Sequence, residues 1–513
     1  MSYPNQVLEF LDWTKSQQVK LHPQLKLVSN QHCNTIQLSP STQHLSIIPR
    51  DTTIASIPKH ACFSHQTSSL KHLNSSLPAS LSNLPIHHQP IIHLTIHLTH
   101  ELSLGSSSPW HPYLNLIAHP EHDQPLLLHL QGINILEIQA WIKGTEIENL
   151  LIDGWIISLT QLQDIYNNLS NLPCSWDLFL KAFTIISSRA FQIDNFHQLA
   201  LVPIADLFDH SDQPDVEMVS EDLVCDQCGS SQECIHDNQT LQLINSYPTL
   251  SLEDTVELVS IHPLVPPARD PIDSQPKIVY NTYGKLSNAR LLSEYGFMID
   301  GNIHDRIHFD STLVIQHHTP NQVQALLNTL VSHGAFNNNM QEELVVNPSD
   351  EEASTNMFFI DSNARLSSHL WLTVVLKTHT AHTNCTPSVN YITQLLGLQC
   401  SLTGNNDSSP PSPSESFDSS GTANHLFKIS QFIQELCHGQ LAQYHLPDAS
   451  VDELFTLKED LFNPDILKQG CYALLNEKER GILGMAIEYA CSERILLETC
   501  CSLWNEIESA LSS

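Results

Sequence analysis

The sequence predicts an α+β chain in which strand text and helix text occupy separate stretches. Three observations carry the prediction. Short β-type pieces fill about 25–65 and recur from 199 to 300. Helical periodicity fills most of 88–190, and beyond 310 helical text returns and dominates to the end. At 513 residues the length suits two to four domains, with a core large enough to need no staples.

Element by element, Val7, Leu8, Leu11 and Trp13 sit at roughly helical spacing near the start. LSII at 45–48 and TIASIP at 53–58 read as strands. IIHLTIHLTHEL, ILEIQAWIKG, SLTQLQDIYNNL and WDLFLKAFTIISSRAF then read as successive helices. A Pro-rich loop spans 263–276. Thr319, Pro320, Asn321 and Gln322 have capping-box spacing with Pro at the first helical position, and Gly334 is a matching stop. The segment 403–424 holds seven Ser and three Pro with almost no apolar side chains, so a disordered loop is expected there. After it, Ile482, Met485, Tyr489, Leu496, Cys500, Leu503 and Ile507 make an apolar stripe expected to be a buried helix face.

The charge balance excludes whole classes of partner. Lys and Arg total 22 against 55 Asp and Glu, a formal net charge of −33 with 30 His besides. Such a chain repels nucleic acid and anionic membrane and favours basic partners. The opening lacks a basic segment followed by an apolar one, and no apolar run reaches the ~18 residues of a membrane span. A soluble chain of the cytoplasm, the nucleus or both is therefore expected, with its 13 Cys as free thiols or metal ligands. The first of the 16 Gly is Gly105, which leaves no Gly-rich phosphate loop before it.

Three segments carry polar residues at the ends of apolar runs, where pockets commonly form. They are SSRAFQI (Ser187–Ile193), LVPIADLFDHS (Leu201–Ser211) and VYNTYGKLSNARLLSEYGFM (Val279–Met298), the last setting Tyr283 twelve residues before Tyr295. Each alone also has a structural reading, since Arg at a helix end suits the dipole and Asp after a strand caps turns.

In this order the three segments resemble the SET-domain methyltransferases, in the branch of the Rubisco large-subunit methyltransferase and related ribosomal-protein and actin methyltransferases. The family pattern is SRxF, then VPxxDxxNH, then YGxxSNxxLLxxYGF, and SSSPWHPYL (Ser106–Leu114) resembles the branch's SxWxPYL signature. The likeness is specific across about 90–300. It implies a SET fold: small curved β-sheets with a knot-like C-terminal threading, a helical insertion, and a mostly α-helical C-terminal domain. The implied domains are 1–88 (N-terminal helix and first part of SET), 89–190 (helical insertion), 191–300 (the rest of SET, with a Cys-rich acidic insertion at 212–240) and 301–513 (substrate-binding-like).

The resemblance implies an S-adenosyl-L-methionine pocket lined by Arg189, Asp206, Asp209 and His210 and closed by Tyr295, Gly296 and Phe297. Tyr283 is similar to the family's catalytic tyrosine. Two positions depart from the pattern. Asp209 stands where the family has Asn, keeping an acceptor oxygen but losing the amide donor. Ser39, Pro40 and Ser41 stand where the family has a GxG loop.

The implied activity is protein-lysine N-methylation of a basic, Lys-rich, non-histone protein, of which ribosomal or translation-related proteins are the expected substrates. A protein-histidine methyltransferase of the same branch and a catalytically weakened SET scaffold that binds basic proteins are the alternatives. The residue types suit amine methylation, an in-line displacement that rests on alignment and on a neutral amine rather than on a strong base.

Two further features lie beside these motifs. Cys225, Cys228, Cys234 and His236 place four soft or borderline ligands within twelve residues, a set suited to structural zinc, with a metal-free loop or redox chemistry as the other readings. Residues 205–275 hold fifteen Asp or Glu and one Arg. That excess is either a solvated loop or an acidic collar, with Asp215, Glu217, Glu221 and Asp222 among its members, that draws a basic substrate.

Overall fold

The computed structural model describes residues 3–29, 34–38, 47–71, 84–118, 135–169, 174–231, 234, 236, 254–266, 277–310, 320–332, 345–346, 357–380, 387–402, 419–463 and 475–512. The chain divides into two compact units. The first comprises Met1–Leu130, Ile156–Lys285 and Leu292–Phe297; the second comprises Gln131–Trp155, Leu286–Leu291 and Met298–Ser513.

The first unit is built on short strands: β1 (Lys20–Leu21), β2 (Leu25–Ser29), β3 (Asn34–Leu38), β4 (Thr53–Pro58), β5 (Phe63–Ser64), β6 (Ala190–Asp194), β7 (Gln198–Leu201), β8 (Asp209–His210), β9 (Val216–Val219), β10 (Thr255–Ser260), β11 (Lys277–Ile278) and β12 (Tyr280–Asn281). They make four small sheets, ordered β1-β4-β10-β9, β11-β3-β2, β5-β7-β6 and β12-β8. In β10 the burial alternates, with Val256, Leu258 and Ser260 inward. That is the two-residue period of a strand with one dry face. The inward Ser260 keeps its hydroxyl satisfied by donating to the Pro49 carbonyl at 2.8 Å.

Helices Gln89–Leu104 and Trp176–Arg189 pack on each other beside these sheets. Their ends are legible in the sequence. The first has Pro90 in its opening turn and stops at Gly105, whose φ of 54° suits a residue without Cβ. The second starts at Ser175, whose hydroxyl accepts from Leu178 N. Between them, Leu159–Asn168 opens on a complete Ser158/Gln161 capping box. The stretch ILEIQAWIKG, read with this helical group, clusters instead with the second unit.

The second unit is mostly helical, with helices Ile135–Ile142, Glu146–Ile152, Pro320–Ser332, Ser368–Thr380, Val389–Leu402, Ser419–Leu441, Val451–Asp460 and Glu477–Ser512. It also contains a sheet that the sequence reading missed: β13 (Arg306–His308), β14 (Val345–Val346), β15 (Phe359–Asp361) and β16 (Leu366–Ser367), in the order β13-β15-β16-β14. Strands of two or three residues are too short to leave a periodic signature. The β15–β16 turn is held by Asp361, whose carboxylate accepts from Asn363 N and Arg365 N and pairs with Arg365 Nη2 at 2.7 Å.

Helix Pro320–Ser332 begins at the expected proline, while Thr319 and Gly334 lie outside the described residues. Helix Ser419–Leu441 begins inside the segment expected to be a loop, and buries Thr422 and His425. The part of that loop from 403 to 418 lies outside the described residues. In helix Glu477–Ser512 the buried face contains Ile482, Tyr489, Cys500 and Ile507 as expected. Leu503, by contrast, is 41% exposed, and the neighbouring Trp504 is buried in its place. Among the described residues no helix is long and apolar enough to cross a membrane.

Candidate active site

The site is assembled from three pieces of the first unit. Helix Trp176–Arg189 delivers Arg189 at its C-terminus, where a cation meets the negative end of the helix dipole. From there Arg189 Nη1 donates to the Asp206 carbonyl at 2.8 Å and stands 3.8 Å from Asp206 Oδ2. Asp206 occupies a tight turn, Ala205–Leu207. The residue before it, Ile204, has φ 74° and ψ −47°. A β-branched residue in that region stores roughly 1–3 kcal/mol of backbone strain, a cost that clusters at functional sites.

Asp206 is buried, and Tyr113 donates its hydroxyl to Asp206 Oδ2 at 2.8 Å. Burial pushes the Asp206 carboxyl up to about 6, with Arg189 and the Tyr113 hydrogen bond opposing the rise. Its Oδ1 is buried with no hydrogen-bond partner among the described residues. Asp209 is also raised by burial, and Arg189 again opposes.

The third piece is the parallel pair of β8 and β12, with Tyr280 opposite Asp209 and Asn281 opposite His210. Parallel neighbours cannot be joined by a hairpin, and residues 211–279 make the long return. The pairing brings Tyr283 onto His210. Tyr283 N donates to His210 Nδ1 at 3.1 Å, so the neutral ring carries its proton on Nε2. The two rings stack with centroids 5.0 Å apart. The Tyr283 hydroxyl donates to the Phe208 carbonyl at 2.9 Å. Burial pushes this phenol well above its ordinary value of 10, so it stays protonated at physiological pH.

A π-helical turn, Leu291–Tyr295, then lays the Tyr295 ring on Tyr283 with centroids 4.9 Å apart. Gly296 follows at φ 78°, and Phe297 meets Tyr283 edge-on at 6.4 Å. A pocket of about 160 Å³ is walled by Ser188, Arg189, Phe191, Asp206, Tyr283 and Tyr295, among others.

Four of the expected site residues, Arg189, Asp206, Tyr283 and Tyr295, thus share one pocket. His210 and Phe297 pack against its aromatic wall, Asp209 pairs with Tyr280 in the neighbouring strand, and Gly296 supplies the turn between Tyr295 and Phe297. Tyr113 and the Phe208 carbonyl were not foreseen as partners in the site. Tyr113 stood inside the SSSPWHPYL signature, but nothing local tells which buried group its hydroxyl meets. The positions Ser39, Pro40 and Ser41 lie outside the described residues. Cys225, Cys228, Cys234 and His236 form a cluster of their own, with one ligand atom from each within 4.8 Å of all the others.

One residue expected in an acidic collar is corrected. Asp215 is buried and holds strands together: it accepts from Lys277 Nζ at 2.9 Å, His262 Nε2 at 3.0 Å and Tyr280 N at 3.1 Å. Its charge serves the fold. Glu217, Glu221 and Asp222 are exposed.

The whole chain superposes on the SET domain of LSMT in a crystal structure bound to lysine and AdoHcy, covering 100% of this chain and 93% of that one, with a TM-score of 0.54 at 17% identity. The fold is a SET domain. Rubisco LSMT bound to sinefungin and monomethyllysine matches this SET fold over 99% of the present chain and 93% of that one, with a TM-score of 0.52 at 16% identity. In sequence, ribosomal lysine N-methyltransferase 3 of Saccharomyces cerevisiae is 24% identical over 356 residues. That match spans 56% of the SET-domain chain and 62% of the relative, less than two thirds of the relative's length. No family model matches.

Proposed function

We propose that this chain is an S-adenosyl-L-methionine-dependent protein-lysine N-methyltransferase acting on a basic, non-histone protein of the translation apparatus. The observation that carries the reading is the Tyr283 hydroxyl, pinned to the Phe208 carbonyl in the wall of a pocket that also holds Arg189, Asp206 and Tyr295. The likeness to a ribosomal lysine methyltransferase, and to neighbours solved with lysine, methyllysine and S-adenosyl ligands, supports it.

The residues present fit the cofactor. Asp206 has a buried acceptor, Oδ1, without a donor among the described residues, which a ligand in the pocket could satisfy. The aromatic faces of Tyr295 and Phe297 and the carboxylates of Asp206 and Asp209 suit a molecule that is both aromatic and cationic. Arg189, Asp206, Asp209, His210, Tyr295, Gly296 and Phe297 would hold it. When bound, S-adenosyl-L-methionine supplies an electrophilic methyl group.

The chain's own residues do the rest by placement. Tyr283 has committed its proton to the Phe208 carbonyl, so its oxygen lone pairs are free to accept an N–H of the incoming amine and set its direction. The rings of His210, Tyr283 and Tyr295 stack in series, and the Tyr283 phenol is desolvated by burial. A lysine entering such an apolar surrounding loses its proton more readily, because burial disfavours the ammonium. Alignment and desolvation then supply the rate, and no metal or strong base is needed. The exposed Glu217, Glu221 and Asp222 favour a Lys-rich partner over nucleic acid. Action in the cytoplasm, the nucleus or both completes the reading.

Calorimetry with S-adenosylhomocysteine tests the cofactor step, with one site per chain expected. Absence of binding at millimolar ligand would overturn the proposal in favour of a non-catalytic scaffold.

A further inference from the structure

We propose that Cys225, Cys228, Cys234 and His236 bind a structural Zn²⁺ that clips the acidic segment between β9 and β10 onto a buried Lys59–Asp194–His197 core.

Four ligand atoms converge within 4.8 Å of one another, and two of their edges match those of a tetrahedral site. A site with Zn–S of about 2.3 Å and Zn–N of about 2.05 Å has S···N edges of about 3.55 Å. Cys225 Sγ lies 3.6 Å, and Cys234 Sγ 3.5 Å, from His236 Nδ1. The three thiols converge without forming a disulfide. Nδ1 faces two sulfurs and is the ring's ligand atom. Three thiolates and an imidazole fill all four positions, so no place is left for water or substrate, and the site is structural.

The backbone is shaped for the same end. Gly229 N donates to the Cys225 carbonyl at 2.8 Å and Cys225 N to the Ser230 carbonyl at 2.9 Å, a closed turn that points Cys225 and Cys228 the same way. Gly229 sits at φ 73°, and a Cβ there would come within 2.5 Å of Phe196 Cδ1. The knuckle is thus seated directly on Phe196.

Phe196 belongs to the turn between β6 and β7, where Phe196 N and His197 N both donate to Asp194 Oδ1. Asp194 Oδ2 in turn meets Lys59 Nζ at 2.8 Å and His197 Nδ1 at 2.8 Å, all three side chains being fully buried. The acidic segment is tied to this core twice more, by Lys59 Nζ to the Glu221 carbonyl and by Asn195 N to the Asp222 carbonyl. Zinc closes the assembly from outside. Binding releases three thiol protons, Zn²⁺ + 3 CysSH + His giving a site of net charge −1 and 3 H⁺. The role is separate from methyl transfer, because none of the four ligands lines the Arg189–Tyr283 pocket.

The test is metal analysis of the full-length protein purified from zinc-replete cells, together with cobalt titration of the reduced, metal-stripped chain. One zinc per chain is expected, and cobalt should give thiolate charge-transfer bands with the intense d–d absorption of a tetrahedral site. Cys225→Ser and His236→Ala should each lose the metal, and stripping should expose residues 220–231 to limited proteolysis. The cobalt spectrum needs no variant, so the test survives a variant that fails to fold. A chain without metal and without a tetrahedral cobalt spectrum, iron in place of zinc, or zinc retained in both variants would overturn the proposal.

Discussion

Tyr113 donates its hydroxyl to Asp206 Oδ2 at 2.8 Å, joining the helix His111–Ile117 to the turn that carries the pocket's buried carboxylate. Both groups are buried, and the bond is one of the forces that hold the Asp206 pKa at about 6 rather than higher. Tyr113→Phe removes the donor. Cofactor affinity in the unaltered chain should be full above about pH 6 and weaken below it as the carboxylate protonates. In the variant the midpoint of that dependence should move to higher pH. Calorimetric titrations across pH 5 to 8 read the shift, and superimposable profiles would show that Tyr113 does not tune Asp206.

The buried Lys59–Asp194 pair supports the first unit from beneath. Lys59→Met leaves Asp194 with His197 as its remaining side-chain partner in this core, in a place from which water is excluded. Removing one member of such a pair costs about 3–5 kcal/mol, because the other charge stays buried. A large loss of thermal stability is expected, and a melting temperature unchanged from the parent would contradict this description of the core.

In the second unit, Glu493 accepts from Tyr444 OH at 2.6 Å, from Glu146 N at 2.9 Å and from Tyr489 OH. Burial pushes its carboxyl from an ordinary 4.5 to about 8 despite those hydrogen bonds. The folded state therefore keeps a proton that the unfolded state releases near 4.5. The resulting stabilisation is complete below that pH and is lost as pH rises through about 8. Glu493→Gln should flatten the fall in stability between those limits, a matter of a few kcal/mol. Denaturant melts at pH 5, 7 and 8.5 provide the comparison, and equal slopes in parent and variant would remove Glu493 as the cause.

Gly144 has φ 77°, and a Cβ there would lie 2.9 Å from Tyr444 Cδ1 and 3.0 Å from the Gln443 backbone. Gly144→Ala combines an unfavourable backbone with a clash that includes main chain, so a loss of roughly 1–3 kcal/mol is expected. Chemical denaturation of the full chain measures it, and a neutral effect would show that the loop yields.

The site was legible where its chemistry is contiguous. Arg189, Asp206 and Tyr283 each lie within a short recognisable motif, and the order of those motifs pointed to the pocket that unites them. Tyr113 was in view as a letter, but its bond to Asp206 spans 93 positions and leaves no local trace. Asp215 read as one more acid in an acidic stretch. Its burial follows from Lys277, His262 and Tyr280, which converge on it only through the fold. The sheet of the second unit was hidden by strands of two or three residues, and Ser419–Asn424 looked like loop because small polar residues can still begin a helix whose later turns are buried.

The most direct test of the central claim is transfer of a labelled methyl group from S-adenosyl-L-methionine into a methyl-deficient cell extract, comparing the unaltered chain with Tyr283→Phe. The account predicts a labelled basic protein with the label on lysine after hydrolysis. Removing the hydroxyl misdirects the amine, so the rate should fall roughly 10²-fold while cofactor affinity stays close to the parent's. Label that appears at an undiminished rate with the variant, or label recovered on histidine, would contradict it.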